Sequence, residues 1–177
     1  MRVVGGRLGG RRLRVPRGGA LRPTSDRVRE AIFSILGDAV VEARVLDLYA
    51  GTGAMAIEAQ SRGAREAVCV ERDPAALRAL DRNVTELGLA GTTRVVRAGA
   101  LDFCRRIPED GTRFDVVFCD PPYRDDPEPI LDVIATSDWW GRVWVLEHAV
   151  RRPHPDLPEA AETRRWGDTA ATFFWRT

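Results

Sequence analysis

Arg44-Val45-Leu46-Asp47-Leu48-Tyr49-Ala50-Gly51-Thr52-Gly53-Ala54-Met55-Ala56-Ile57 decides the fold of this chain. Residues 44–48 form an apolar, strand-like run with a single acid in it. The glycines then turn the chain into a helical stretch carrying Met55, Ile57 and Ala59. Glycine here lets the backbone approach a ligand closely, and the helix N-terminus that follows favours negative charge.

The same alternation continues outward. The spacing predicts strands at 44–48, 66–71, 93–98, 114–119 and 142–147, and helices at about 53–62, 73–88, 100–106 and 126–136. Strands alternating with helices imply a mostly parallel sheet covered on both faces. The C-terminus differs: Thr163 to Trp166, Gly167-Asp168, then Thr169 to Trp175 reads as a hairpin that adds an antiparallel strand. Ahead of the sheet, Thr24 or Ser25 is the expected N-cap of a helix carrying Val28, Ile32, Phe33, Ile35 and Leu36 and closed by Gly37. Arg151 to Pro158, rich in proline, reads as a loop.

At 177 residues, 44% hydrophobic and 30% charged, the chain suits one soluble domain with a full core. The expected division is a basic extension over residues 1–22 and a single domain over 23–177. No apolar run approaches a membrane span and no secretory signal is visible, so a cytoplasmic location is expected. Cys69, Cys104 and Cys119 are widely spaced, with Cys69 and Cys119 in apolar runs, which points to buried free thiols. His148 and His154 lie far from any cysteine cluster, so no metal is expected.

Charge is unevenly distributed. Residues 1–30 carry nine arginines against Asp26 and Glu30, a local +7; with a net charge of +1, the remainder sums to −6. That asymmetry suggests an arm facing a polyanion. The chain contains no lysine, which reflects coding bias more readily than chosen chemistry. Val3-Val4-Gly5-Gly6 and Leu13-Arg14-Val15-Pro16 alternate around turn glycines as a small ordered hairpin would, in preference to a disordered tail.

The glycine loop has an acidic partner in Glu71, at the end of the next strand, placed to accept hydrogen bonds from two ribose hydroxyls. Gly51-Thr52-Gly53-Ala54-Met55-Ala56 also fits the G-x-G-x-x-A dinucleotide fingerprint, so NAD has to be weighed. Against NAD, Asp47 stands where a carboxylate receives the amino group of an amino-acid ligand, and little chain remains for a separate substrate domain. A nucleoside with an amino-acid tail, S-adenosylmethionine, fits better.

Asp120-Pro121-Pro122-Tyr123 follows the strand-like Phe114-Asp115-Val116-Val117-Phe118-Cys119. The prolines fix φ and remove two N–H donors, leaving the Asp120 carboxylate and the Asp120 and Pro121 carbonyls with few local partners. Such a ledge can grip a planar amine while Tyr123 covers a ring face. Taken alone, the tetrapeptide serves equally well as a strand stop with Tyr123 in the core.

Together, Asp47–Gly53, Glu71 and Asp120–Tyr123, in that order at strand ends, resemble a class I S-adenosylmethionine-dependent amino-methyltransferase. Val3-Val4-Gly5-Gly6, Gly10-Arg11-Arg12-Leu13 and Leu21-Arg22-Pro23-Thr24-Ser25-Asp26-Arg27-Val28-Arg29-Glu30 resemble the RsmD family, and the similarity runs from residue 3 to the C-terminal hairpin. The resemblance implies a Rossmann-like class I methyltransferase fold: a seven-stranded, mostly parallel sheet with an antiparallel C-terminal strand, plus an N-terminal basic β-hairpin and helix. It implies methylation of the exocyclic N2 of guanine 966 in 16S rRNA, on assembled or nearly assembled small subunits, by a monomer. Implied cofactor contacts are Asp47, Tyr49, Ala50, Gly51, Thr52, Gly53, Glu71, Arg72, Ala100, Leu101 and Asp120. Asp120, Pro121, Pro122 and Tyr123 are the implied catalytic residues. Implied RNA contacts are Arg2, Arg7, Arg11, Arg12, Arg14, Arg22, Thr24, Arg27 and Arg124.

One position departs from the superfamily pattern. Gly99 stands where many such enzymes place Asp or Asn on the adenine amino group, which leaves the Ala100 and Leu101 backbone, with Asp102, as the candidates. The tetrapeptide also permits methylation of DNA adenine or cytosine, of another RNA or of a protein glutamine, although DNA enzymes usually carry a target-recognition domain for which there is no room. A non-catalytic RNA-binding assembly factor is the remaining alternative, and Asp47 and Asp120 speak against it.

Overall fold

Seven strands form one sheet in the order β3-β2-β1-β4-β5-β7-β6. They are β1 (Arg44–Leu48), β2 (Glu66–Glu71), β3 (Thr93–Arg97), β4 (Phe114–Cys119), β5 (Trp140–Ala149), β6 (Ala161–Trp166) and β7 (Thr169–Trp175). The computed structural model describes residues 1–16, 24–110, 112–122, 128–150 and 161–176. β1 to β5 run parallel, while β7 runs antiparallel to β5 and to β6. The fold is the Rossmann-like class I methyltransferase architecture, with the hairpin added at the C-terminal edge. Three predicted strands are met to the residue; β5 is longer than 142–147 because its antiparallel partner continues the ladder from Val143↔Trp175 to Ala149↔Thr169.

The helices are α1 (Asp26–Leu36), α2 (Ala54–Ser61), α3 (Pro74–Glu86), α4 (Ala100–Asp110) and α5 (Glu128–Thr136). α1 starts where Ser25 Oγ accepts from the Val28 amide at 3.2 Å and stops at Gly37, whose φ of 48° lies in the left-handed region. α3 is capped by Asp73 with Pro74 in its first turn, a pairing that satisfies two orphan amides. α4 runs on to Asp110, past the predicted end at 106.

The two faces of the sheet build separate cores. Val45, Phe118, Val143 and Val145 pack under α1, α2 and α3 with Ile32, Phe33, Ile57 and Leu80. On the other face Leu46, Leu48, Val117 and Trp144 pack under α4 and α5 with Cys104, Ile107 and Ile130. Trp144 stacks on Phe174 of β7 at 3.9 Å, which bonds the C-terminal hairpin to the parallel sheet. The three cysteines are free and buried. Among the described residues, no helix is long and apolar enough to cross a membrane.

Over residues 1–16 the N-terminal arm turns back on itself: Val3 N donates to the Arg11 carbonyl at 2.9 Å, Gly10 N to the Val3 carbonyl at 2.9 Å and Leu13 N to the Met1 carbonyl at 3.1 Å. Its only antiparallel bridge is Arg2↔Arg12 among the described residues, around a tight turn at Gly6–Leu8. Other amides of the arm turn to α2. Val4 N and Gly5 N donate to the Glu58 carboxylate at 2.7 and 2.8 Å, and Leu8 N donates to Ser61 Oγ at 2.9 Å. Those donors are spent on α2 instead of on the returning strand. Gly6, at φ 70°, crosses α2 so closely that a Cβ there would stand 2.0 Å from the Ser61 carbonyl oxygen.

Beneath the arm, the fully buried Arg29 of α1 pairs with the fully buried Glu58 of α2 at 3.5 Å and donates to the Arg2 carbonyl. Val3, Leu8 and Leu13 of the arm are buried in the same core as α1 and α2. The arm is seated by apolar burial and by a charge network.

Candidate active site

β1, β4 and β5 end at the point where the order of the sheet reverses, and an open cleft lies there. Ligands of open α/β sheets bind outside the carboxyl ends of the strands at such switch points. The cleft is lined by Asp47, the Tyr49–Thr52 loop, Phe118 to Asp120 and Glu147, with Met1, Val15, Thr24 and Ile32 on the arm and α1 side. Among the described residues its lining includes three carboxylates and no arginine or histidine side chain. A pocket of this kind suits a cation.

Asp47 is set by β1 and tied to α2. Its Oδ2 accepts from the Ala56 amide at 3.1 Å, so a strand residue caps the first turn of the next helix and meets its positive end. Burial raises its pKa to about 7; the Ala56 hydrogen bond pulls the other way, and the charge of Glu71 pushes it up again. An ionised Asp47 is therefore held at a cost, which a bound ammonium would offset.

The loop between them is strained where it meets the cleft. Tyr49 has φ 63° and Gly51 φ 56°, both in the left-handed region, where an aromatic residue is rare. Gly53, at φ 80°, has a second reason to be glycine: a Cβ there would come within 2.3 Å of Leu80 Cδ1. Glu71 closes the loop from β2, accepting from the amides of Gly51 at 2.8 Å and of Arg72 and Asp73 at 2.7 Å each.

Asp120 follows the end of β4 and its side chain reaches the open cleft. Asp120 is exposed as a residue, but desolvation of its carboxyl, then the charges of Glu147 and Asp47, hold that group well above the usual range. Pro121 and Pro122 follow outside any helix or strand. Tyr123, Arg124 and Arg22 lie outside the described residues. Ala100 and Leu101 begin α4 at the end of β3, with Ala100 buried and Leu101 half-buried, away from the cleft lining; Asp102 is exposed.

Of the arginines expected at RNA, Arg2 pairs with Asp26 at 3.2 Å and Arg14 with Glu86 at 3.1 Å. Arg7, Arg11, Arg12 and Arg27 are exposed, and no ion pair involving them is found among the described residues. Thr24 faces the cleft instead, donating its hydroxyl to Glu147 Oε2 at 2.8 Å. Among the described residues no group of three or more His, Cys, Asp or Glu could hold a metal ion.

Two residues tied to the cleft and its glycine loop escaped the sequence reading. Glu147 reaches the cleft only because β5 lies beside β4. Asn83, on the buried stripe of α3, donates to the Thr52 carbonyl at 2.9 Å and to the Arg14 carbonyl at 3.1 Å, and so joins the glycine loop to the arm. A polar residue on an otherwise apolar helix face is the signal that marked Asn83.

A parallel sheet of this order, with an acid-lined cleft at its switch point, defines a class I methyltransferase. The chain belongs to the RsmD family: the family described as "Conserved hypothetical protein 95" matches residues 1–175. Ribosomal RNA small subunit methyltransferase D of Escherichia coli strain K12 is 44% identical over 140 residues, spanning 78% of this chain and 69% of that protein. Among solved structures, a hypothetical protein of Thermus thermophilus superimposes with a TM-score of 0.87 at 34% identity, covering 99% of both chains. A putative methyltransferase from Escherichia coli gives a TM-score of 0.84 at 33% identity, over 99% of this chain and 97% of that one.

Proposed function

We propose that this protein transfers a methyl group from S-adenosylmethionine to the exocyclic N2 amine of a guanine in 16S ribosomal RNA, at the position corresponding to guanine 966. The observation that carries the reading is the placement of Asp47 and Asp120 at neighbouring strand ends around one acidic cleft. The 44% identity to an E. coli small-subunit rRNA methyltransferase supports the choice of substrate.

The donor set fits this cofactor. A buried carboxylate whose pKa is pushed up to about 7 is stabilised by an ammonium, and the remaining carboxylates favour a second positive charge nearby. In this reading Asp47 holds the ammonium, the Tyr49–Gly53 loop closes over the amino-acid tail, and Glu71 accepts from the ribose hydroxyls. Ala100 and Leu101 offer backbone groups to the adenine edge, with Arg72 flanking the nucleoside. When bound, the cofactor supplies an electrophilic methyl group on a positively charged sulfur.

The chain's own contribution is to make a poor nucleophile ready. The N2 lone pair of guanine is delocalised into the ring. Asp120 and the Pro121 carbonyl accept the two N–H groups, which favours a pyramidal nitrogen with its lone pair directed into the cleft. Pro122 stiffens the ledge, and Tyr123 stacks on the base, a contact worth about 1–3 kcal/mol. Positioning supplies most of the effect, and Asp120 takes the proton released from the methylated amine. Burial, reinforced by neighbouring Cys104, Asp120 and Asp47, raises the thiol pKa of Cys119 in the cleft wall, which keeps a competing sulfur nucleophile protonated.

Arg7, Arg11 and Arg12 of the arm meet the phosphates in this reading. Reversing these three exposed charges to glutamate should weaken RNA binding and reduce the salt slope, by about 0.7–0.9 in log K per log salt for each phosphate no longer neutralised. Cofactor affinity should hold. Titrations across ionic strength measure it, and an unchanged slope would remove the arm from the interface.

The reading as a whole is tested with labelled S-adenosylmethionine on small subunits from a strain lacking its own family member. Nucleoside analysis should show N2-methylguanosine. Methyladenosine, or no incorporation, would overturn it.

A further inference from the structure

We propose that Glu147 reads the ring N1–H of the target guanine beside Asp120, and is thereby the residue that selects guanine among the bases bearing an exocyclic amine. The proposal rests on the guanine reading above and assigns the specificity of that site to one side chain.

Sheet register places the two carboxylates together. β4 and β5 are parallel with Cys119 opposite Leu146, on strands about 4.8 Å apart, so the next residues, Asp120 just past the end of β4 and Glu147 on β5, leave that pair side by side. Val143 and Val145 face the α1–α2 side, and strand alternation puts Glu147 on that face too. Both acids line the same cleft.

The head of Glu147 is held from the opposite wall. Thr24 Oγ1 donates to its Oε2 at 2.8 Å, and the Thr24 carbonyl accepts from buried Arg29 at 3.3 Å. A carboxylate has about four acceptor sites, and the threonine hydroxyl fills one of them and so orients the group. Two carboxylates facing one cleft repel each other, and the charge of Glu147 is among the causes that raise the Asp120 pKa. An edge carrying two donors side by side relieves that repulsion.

Base chemistry then decides which edge enters. Guanine presents N1–H directly beside its N2 amine, a continuous row of donors. Adenine and cytosine each place a ring-nitrogen acceptor beside the amine, and a lone pair aimed at a carboxylate oxygen is repelled. A clamp made of Asp120 alone accepts any amine; Asp120 with Glu147 accepts guanine and rejects the other two.

The test uses small subunits carrying either guanine or 2,6-diaminopurine at the methylated position, mapped first from the wild-type product. The analogue keeps the amine at carbon 2 but turns N1 into an acceptor. The wild-type protein should prefer guanine in kcat/KM by about 10- to 100-fold, the range of a well-made hydrogen-bond discrimination. Glu147→Gln can donate to N1 through its amide, so the ratio should fall to within about threefold of unity. Circular dichroism and S-adenosylhomocysteine binding report whether the variant is folded. Thr24→Val removes the orienting hydroxyl while keeping Glu147, and should lower the ratio in the same direction.

A purely structural role would lower both substrates equally. If N2-methylguanosine is the product but both variants keep the wild-type ratio, Glu147 does not read the base, and the guanine reading stands. If the wild-type product is methyladenosine, the guanine reading falls and the role of Glu147 falls with it.

Discussion

Asp120→Ala should lower single-turnover methyl transfer by about 10²- to 10³-fold, the usual cost of removing one directed hydrogen-bonding group from a reacting centre. S-adenosylhomocysteine affinity should stay within about threefold of wild type, because the ammonium partner in this scheme is Asp47 and the ribose partner Glu71. The geometry supports this separation: Asp47 is tied to α2 through Ala56, Glu71 to the glycine loop through Gly51, and Asp120 stands beyond β4 at the open end of the cleft. Rapid-quench measurement of labelled transfer, with calorimetry on the same variant, checks both halves. A variant that transfers methyl normally but no longer binds the cofactor product would reverse the assigned roles.

Asp47→Asn should make the protein more stable and less able to bind its cofactor. The pKa of Asp47 is raised from 3.8 to about 7, so the folded state binds the proton more tightly than the unfolded chain. The stability due to that proton is fully present below about pH 4 and is lost as pH rises through about 7. Above that pH the folded protein carries a buried charge whose cost, at 1.36 kcal/mol per pH unit, approaches an upper bound of about 4 kcal/mol. Asparagine keeps an acceptor for the Ala56 amide and removes the charge.

The ligand-free variant should therefore gain stability at pH 8, about 2–4 kcal/mol, and gain almost nothing near pH 4. Thermal unfolding against pH reads the difference. In the same variant S-adenosylhomocysteine affinity should drop by about 30-fold or more, the penalty for removing one member of a buried charge pair. Wild-type affinity should rise with pH and level off above about 7 as Asp47 ionises, and the variant's profile should be flat. Equal cofactor affinity, or a stability gain that does not depend on pH, would show that Asp47 is not the ammonium partner.

The parts of the site that were legible are those where chemistry and local backbone coincide. Asp47, Gly51 and Gly53 lie on one strand-turn-helix unit, and positive φ at Gly51 and Gly53 is what glycine in such a turn announces. Tyr49 shares that conformation without announcing it, because nothing in an aromatic side chain signals a left-handed backbone. The arm illustrates a different gap. Its alternation suggested a chain that turns back, and it does, but nothing in it announced that the Val4, Gly5 and Leu8 amides would dock on Glu58 and Ser61 of α2. The burial of Arg29 was equally hidden: among nine arginines in 30 residues, only its position on the inner face of α1 against Glu58 sets it apart.

By itself the sequence determined the element order, the glycine loop with its two acids, and the proline-stiffened ledge, because period, turn chemistry and capping act within a few residues of the chain. Which acids share a cleft was decided only by the tertiary structure. Glu147 lies 100 positions after Asp47, and Thr24 lies 123 positions before Glu147. They meet because β5 pairs with β4 in a particular register and α1 folds across the ends of both strands. Register is set by burial on both faces of the whole sheet, a sum over many side chains that no short segment contains.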